Sequence, residues 1–330
     1  MNLPLVSVCV ANYNGAKFIE ETLRSLIRQT YQNIEIIVGD NVSTDQSVAI
    51  IKKIATEDSR IKYFQNKKNI GYSGNCNKLI QTAQGKYVTI YHSDDVYEPT
   101  IVEEEVAFLE ANPELAGVYT SQKIIDENRQ PISNDGFILN QIPHKYLILD
   151  LVQYLDYLIK QDINPIVCPT SMIKKSVYQE LKGYDLNLKY VDDVDMWLRI
   201  LEKYNVGIVN KKLVNYRVHS AQGSQYYRDL ERDDLLIPIK FLAAYIEKNS
   251  DLKDRYKIAI KRLIALDYNK IIKNYIILGQ REKLAAYLKL SRNHYRFFFP
   301  SKDWFVQQTN FRFIYLIVRL YLLLNPKRQK

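Results

Sequence analysis

The sequence predicts an α/β fold: a mostly parallel, doubly wound sheet flanked by helices, continued by an all-α C-terminal extension. Three observations carry that prediction. Short β-branched apolar runs alternate with segments of helical periodicity through the first 125 residues. Polar and acidic clusters stand directly after three of those runs, where doubly wound sheets hold their ligands. From 230 to 325 almost everything reads as helix, which divides the chain into an α/β domain, 1–228, and a helical region, 229–330.

Residues 6–10 form a compact β-branched run, the first strand. Residues 16–29 carry Phe18, Leu23, Leu26 and Ile27 near helical spacing, and 34–38 is the second strand. A helix over 46–54 presents Val48, Ile51 and Ile54 near one face. Strands are expected at 61–64, 86–91 and 117–125, with helices over 73–83 and 100–110 between them. From 130 to 187 four prolines (Pro131, Pro143, Pro165 and Pro169) break the pattern, and this stretch is read as a less regular lobe covering the sheet. A helix over 193–203 and strands at 206–209 and 213–218 complete the domain.

With 47% hydrophobic and 25% charged residues, the chain is neither disordered nor fibrous. Its three cysteines, Cys9, Cys76 and Cys168, are far apart and form no CxxC pair, which fits a reducing compartment and argues against structural zinc. No signal peptide is read at the N-terminus, and the longest apolar stretch, 313–324, is too short to span a bilayer. The net charge of +9 suggests an anionic partner. Residues 291–330 carry eight basic residues against a single acid, Asp303, so most of the excess lies there, interleaved with aromatics such as Trp304, Phe311 and Tyr315. That is the composition of an interfacial helix on anionic lipid. It also suits a helix packed on the domain or on a second subunit of a homo-oligomer. No DNA- or RNA-binding signature accompanies it, so nucleic acid is not expected.

Three strand ends offer the chemistry. Asn12, Tyr13 and Asn14 follow the first strand, Asp40 through Asp45 the second, and His92-Ser93-Asp94-Asp95 the strand at 86–91. Asp45 is equally read as a helix cap, whereas Asp40 stands at the strand terminus, where a ligand contact is expected. Adjacent Asp94 and Asp95 repel each other unless a cation or hydrogen-bond donors compensate, and Mg²⁺ or Mn²⁺ uses such oxygens together with substrate phosphates. A capped turn is the alternative. Asp192, Asp193 and Asp195 open a helix; the helix dipole favours acids there, and one of them is placed to act as a general base. His219, after Tyr216-Arg217-Val218, can complete a metal shell or stay structural.

Together these residues resemble the family 2 glycosyltransferases of the GT-A fold. The opening strand through Ala11-Asn12-Tyr13-Asn14 is similar to the family's first motif, with Ala11 where proline is commoner. Asp40-Asn41-Val42-Ser43-Thr44-Asp45 resembles D-D-x-S-x-D, with Asn41 for the second acid. Asn69 through Asn77 resembles N-x-G-x-S-G-x-x-N, and Ala83-Gln84-Gly85-Lys86-Tyr87 leads to the D-x-D region, where His92 replaces an acid. Gly183-Tyr184-Asp185, Asp192 through Arg199, and Tyr216-Arg217-Val218-His219 resemble the remaining motifs.

The resemblance implies an inverting, metal-dependent transferase that moves a sugar from a nucleotide-sugar, UDP-linked by expectation, to a saccharide or polyprenyl-diphosphate-linked acceptor in surface-polysaccharide synthesis. Asp193 maps to the catalytic base. Ala11, Tyr13, Asn14, Asp40, Gly71, Asn77 and Asp94 map to the donor site, and Asp95, Asp94 and His219 to Mn²⁺ or Mg²⁺. The expected location is cytoplasmic, at the inner face of the cell membrane if the basic tail binds lipid. A non-catalytic nucleotide-sugar-binding or scaffolding protein is the alternative. A nicotinamide-dependent oxidoreductase is disfavoured by the missing glycine fingerprint.

Overall fold

The computed structural model describes residues 3–132, 145–224, 236–280 and 282–284. The chain forms two compact units, Met1–Arg228 with Ile237–Ser250, and Asp229–Leu236 with Asp251–Lys330.

In chain order the first unit contains β1 (Val6–Asn12), α1 (Ile19–Ile27), β2 (Ile34–Asp40), α2 (Ser47–Ala55), β3 (Ile61–Gln65) and α3 (Gly71–Thr82). Next come β4 (Tyr87–His92), β5 (Val96–Tyr97), α4 (Ile101–Ala111), β6 (Gly117–Ile125), β7 (Tyr146–Leu149) and α5 (Leu151–Leu155), the last running into a π-helical turn. Then follow β8 (Ser171–Lys174), α6 (Lys175–Glu180), α7 (Asp192–Leu201), β9 (Val206–Arg217) and α8 (Ile237–Lys248). Helix α9 (Ser250–Ile277) supplies most of the described second unit.

The sheet order is β3-β2-β1-β4-β8-β6-β9-β5, with β7 also on β9. The β3-β2-β1-β4 half is parallel, as expected. Beyond it the sheet is mixed: β8 runs antiparallel to both β4 and β6, β5 and β7 run antiparallel to β9, and among the described residues only β6 and β9 pair in parallel there. The expectation of a covering lobe over 130–187 is therefore corrected. Residues 171–174 are a central strand, and 146–149 an edge strand. The two strands expected at 206–209 and 213–218 are one, β9, whose pairing with β6 shifts register at Thr120, Ser121 and Gln122. A shift of that kind lets one strand pass through the polar Asn210-Lys211-Lys212 stretch without ending.

Helices cover both faces of the parallel half, so β1 and β2 are buried almost without alternation. Helix α1 turns Ile19, Leu23 and Leu26 to the core and keeps Glu20 and Arg24 outside as an i,i+4 pair at 2.8 Å. Each of those leucines stabilises the fold by roughly 1.5–3 kcal/mol through burial. Glu105 of α4 is fully buried, and its Oε2 accepts from the Tyr91 hydroxyl at 3.0 Å while Oε1 has no hydrogen-bond donor. Burial raises its pKa well above the carboxylate range.

In the second unit, α9 buries Leu252, Tyr256, Ile260 and Leu263 along one helical stripe. Ile271, Ile272, Tyr275 and Leu284 form a separate core, and Asp267 accepts from the Leu236 amide at 3.0 Å. Among the described residues no helix is long and apolar enough to cross a membrane. The basic aromatic tail, 291–330, lies outside the described residues.

Candidate active site

The sheet register assembles the site. Parallel pairing sets Asn12 beside Asp40 and Ala11 beside both Gly39 and His92. The C-terminal ends of β1, β2 and β4 therefore open into one crevice, the expected place for a ligand.

Asp40 is fully buried, and its carboxylate is fully engaged. Oδ1 accepts from Asn12 Nδ2 at 2.8 Å and from the Ser43 hydroxyl at 2.5 Å, and Oδ2 from the Ser43 amide at 3.0 Å and Gln65 Nε2 at 3.1 Å. Four donors fill the four lone-pair positions of a carboxylate, so a direct ligand contact would displace one of them. Asn14 adopts a left-handed φ of 51° and locks onto the next loop: its amide donates to Ser43 Oγ and its Oδ1 accepts from the Thr44 amide, both at 2.8 Å. Tyr13, held between these two anchored asparagines, is 54% exposed at the mouth of the crevice. Asp45 holds the turn before α2, accepting from the Ala16 and Ser47 amides at 2.9 Å each. Asn41, standing for an acid, uses its whole amide. Nδ2 donates to Asn69 Oδ1 and the Gly71 carbonyl, and Oδ1 accepts from Asn66 Nδ2 and the Ile70 amide. It thereby shapes the turn in which Gly71 takes φ of 76° and starts α3.

The acidic turn after β4 is held by a buried arginine. Arg217 is 1% exposed; its amide donates to Asp95 Oδ1 at 2.7 Å, its Nε to the Asp94 carbonyl at 2.8 Å, and its Nη2 to Glu21 Oε2 at 2.6 Å. Its Nη1 reaches the carbonyls of Asp126 and Glu127, and the guanidinium lies 4.6 Å from the Phe18 ring centre. Asp95 Oδ2 is buried with no hydrogen-bond donor. Burial, then Asp94, pushes the Asp95 carboxyl well above its usual range. Burial also opposes the Asp94 charge, yet the His219 hydrogen bond and the nearby His92 imidazole hold that pKa below its usual value. His92, Asp94 and Asp95 each present one ligand atom, all within 4.8 Å of one another. An orphaned carboxylate oxygen in such a group fits a hard divalent cation.

His219 sits against the acidic turn. Its Nδ1 accepts from the Ala221 amide at 3.3 Å, which leaves the proton on Nε2, 2.8 Å from Asp94 Oδ2. In this arrangement it donates to Asp94 and lies outside the three-residue group.

The other wall comes from α3 and α7. Ser73 Oγ donates to Asp192 Oδ2 at 2.6 Å, tying the first turn of α3 to that of α7. Burial and the neighbouring Asp192 push the Asp193 carboxyl up to about 6, near the operating range of a general base. Asp195 turns away to Arg199 at 2.7 Å, and Arg199 donates to the carbonyls of Leu181 and Gly183. Asn77, on α3, is bonded at both ends of its side-chain amide. Its Nδ2 donates to the Tyr184 carbonyl and its Oδ1 accepts from the Tyr184 amide, so the amide is spent on fixing the turn where Gly183 takes φ of 71°.

Position after a strand does not single out Tyr72, Ser73 or Arg217. Arg217 was visible in the motif before His219, and a positive charge closing a strand next to an acidic turn was the signal for it.

The sequence model of the family described as Glycosyl transferase family 2 matches residues 7–182. An uncharacterized glycosyltransferase of Haemophilus influenzae is 29% identical over 281 residues, covering 83% of this chain and 85% of that protein. An uncharacterized glycosyltransferase of Methanocaldococcus jannaschii is 32% identical over 222 residues, 66% of this chain and 72% of that protein. Among solved structures, S. aureus TarS 1-349 in complex with UDP-GlcNAc aligns with a TM-score of 0.56 at 18% identity, over 89% of this chain and 73% of that one. At that identity the likeness shows the fold.

Proposed function

Because the chain belongs to glycosyl transferase family 2 and is a glycosyltransferase, we propose that it transfers a sugar with inversion from a UDP-sugar to a saccharide or lipid-linked acceptor in surface-polysaccharide synthesis. The observation that carries this reading is the convergence of the β1, β2 and β4 ends, which the sheet register sets side by side. The UDP-GlcNAc complex of a protein with the same fold supports the choice of donor.

Tyr13, exposed at the crevice mouth, packs along the nucleobase, with Ala11 and Gly71 assigned to the same donor site. Asp40 and Asn14 hold the loop against which the nucleoside rests. A divalent cation, Mn²⁺ or Mg²⁺, held by Asp94 and Asp95, would neutralise the diphosphate leaving group. His219 fixes the Asp94 carboxylate. Asp193 removes the proton from the acceptor hydroxyl as that oxygen attacks the anomeric carbon from the side opposite the diphosphate. Asp192, tethered by Ser73, stays beside Asp193 and keeps it basic enough for the task. A single base with no second carboxylate nucleophile fits direct displacement, and the transition state carries oxocarbenium character. The tail, 291–330, brings the enzyme to anionic lipid at the cytoplasmic face of the membrane, where a lipid-linked acceptor is presented.

The test is transfer from UDP-GlcNAc, and its slow hydrolysis, with and without Mn²⁺. Asp193→Asn is expected to lower kcat by about 10²–10⁴-fold while donor affinity is unchanged. Full activity in that variant would overturn the assignment of the base.

A further inference from the structure

His92 stands where the family's motif has an acid, and its surroundings are built for a ring. At the end of β4 its Nε2 lies 3.1 Å from the Tyr72 hydroxyl. The two rings meet edge to face, with centres 5.9 Å apart and planes at 85°. The same hydroxyl lies 3.4 Å from the Cys168 sulfur. On the other side of the imidazole, Nδ1 faces Asp95 Oδ2 at 3.7 Å, too far for a hydrogen bond. That oxygen is buried and has no donor of its own.

A protonated Nδ1 would have closed on the orphaned oxygen, so the geometry points to the other tautomer. Nε2 carries the proton and donates it to Tyr72 Oη, the Tyr72 hydroxyl donates to Cys168 Sγ, and Nδ1 turns its lone pair into the space shared with Asp94 and Asp95. Tyr72 and Cys168 are thus the outer partners that orient His92 as a third ligand for the divalent cation. This arrangement rests on the cation reading above. Metal-bound histidines commonly donate their other ring N–H to such a partner, which fixes the ring and raises its basicity. Here a phenol backed by a buried thiol takes the place of the usual carboxylate.

Tyr72 is well placed for this. It follows Gly71, whose left-handed backbone is pinned by Asn41, and precedes Ser73, whose hydroxyl is tied to Asp192. The first turn of α3 therefore reaches the cation side through Tyr72 and the base side through Ser73. Tyr72 acts as a positioning residue that works through His92.

Mn²⁺ binding by the full chain, with the ion as the only probe and free Mn²⁺ followed by electron paramagnetic resonance, tests this. Tyr72→Phe is expected to weaken Mn²⁺ binding by about tenfold or more, and His92→Ala at least as much. His92→Asp is expected to retain the ion, and in that background Tyr72→Phe should cost no further affinity. Tyr72→Phe affinity within about twofold of wild type, at an unchanged melting temperature, overturns the inference. So does an equal loss from Tyr72→Phe in the His92→Asp background. If wild type takes up Mn²⁺ and His92→Ala takes it up equally, the inference falls and the cation reading stands. If wild type takes up none, even with UDP present, both fall.

Discussion

Replacing Arg217 with methionine keeps the bulk of the side chain and deletes its charge. Five interactions go with it: the ion pair to Glu21, the bonds to the carbonyls of Asp94, Asp126 and Glu127, and the cation–π contact with the Phe18 ring. Breaking a buried ion pair from one side costs about 3–5 kcal/mol. Two features set the value at the low end here. Glu21 is also paired with Arg129, so it is not left alone, and its side chain is 27% exposed. The bonds to Asp126 and Glu127 are long, at 3.3 and 3.2 Å, and each contributes about 0.5–1 kcal/mol. The expected loss is about 3 kcal/mol, or roughly 6–12 °C in melting temperature for a unit of this size. Thermal unfolding of the full chain by calorimetry, with urea unfolding to confirm an unchanged slope, measures it. In the Arg217→Met, Glu21→Gln double variant the loss should be smaller than the sum of the two single losses. A single-variant loss below about 1 kcal/mol would refute the view that this arginine holds the acidic turn.

The pH dependence of transfer should report Asp193: with its pKa raised to about 6, kcat is expected to fall about tenfold per unit below that value and to be flat above it. Asp193→Asn should remove this limb of a pH–rate profile recorded at saturating donor. Glu105→Gln is expected to raise the melting temperature at about pH 7.5 and to change nothing near pH 4. The native fold keeps a proton on Glu105 that the unfolded chain releases, so the wild type loses stability as pH rises and the variant does not; urea unfolding at the two pH values decides. Gly183→Ala would place a Cβ 2.2 Å from Asn77 Oδ1 at a φ of 71°, and is expected to cost about 1–3 kcal/mol, seen as a lower urea midpoint.

The parallel half of the sheet was legible because each strand there is a local apolar run ending in a polar cluster. Strand β8 was not. Four residues between Pro169 and a helix carry no period of their own, and they become a strand only because β4 and β6 offer edges from elsewhere in the chain. Strand β9 was read as two because a polar stretch interrupts its apolar pattern, while the register shift that bridges it depends on β6. In the site, residue type and position after a strand pointed to Asp40, Asp94 and Asp95, and the family resemblance to Asp193 at the start of a helix. They did not show what each side chain touches. Asn77 and His219 matched motif positions, yet the partners that occupy them, Tyr184 and Asp94, are over a hundred residues away. Tyr72 drew no notice because an aromatic in a helix is ordinarily read as packing, and its partners come from β4 and from the Cys168 turn.

The place of β8 also bears on how the protein is made. Residues 6–92 can pair into the parallel half-sheet as soon as they emerge, but β4 finds its second neighbour only when Met172, Ile173 and Lys174 arrive. That is roughly 80 residues later, or on the order of 4–16 s of synthesis. Through that interval the nascent chain carries an apolar strand with one row of backbone groups unpaired, a template for contact with other chains. The segment that closes the sheet is thus also the one that ends its exposure during translation.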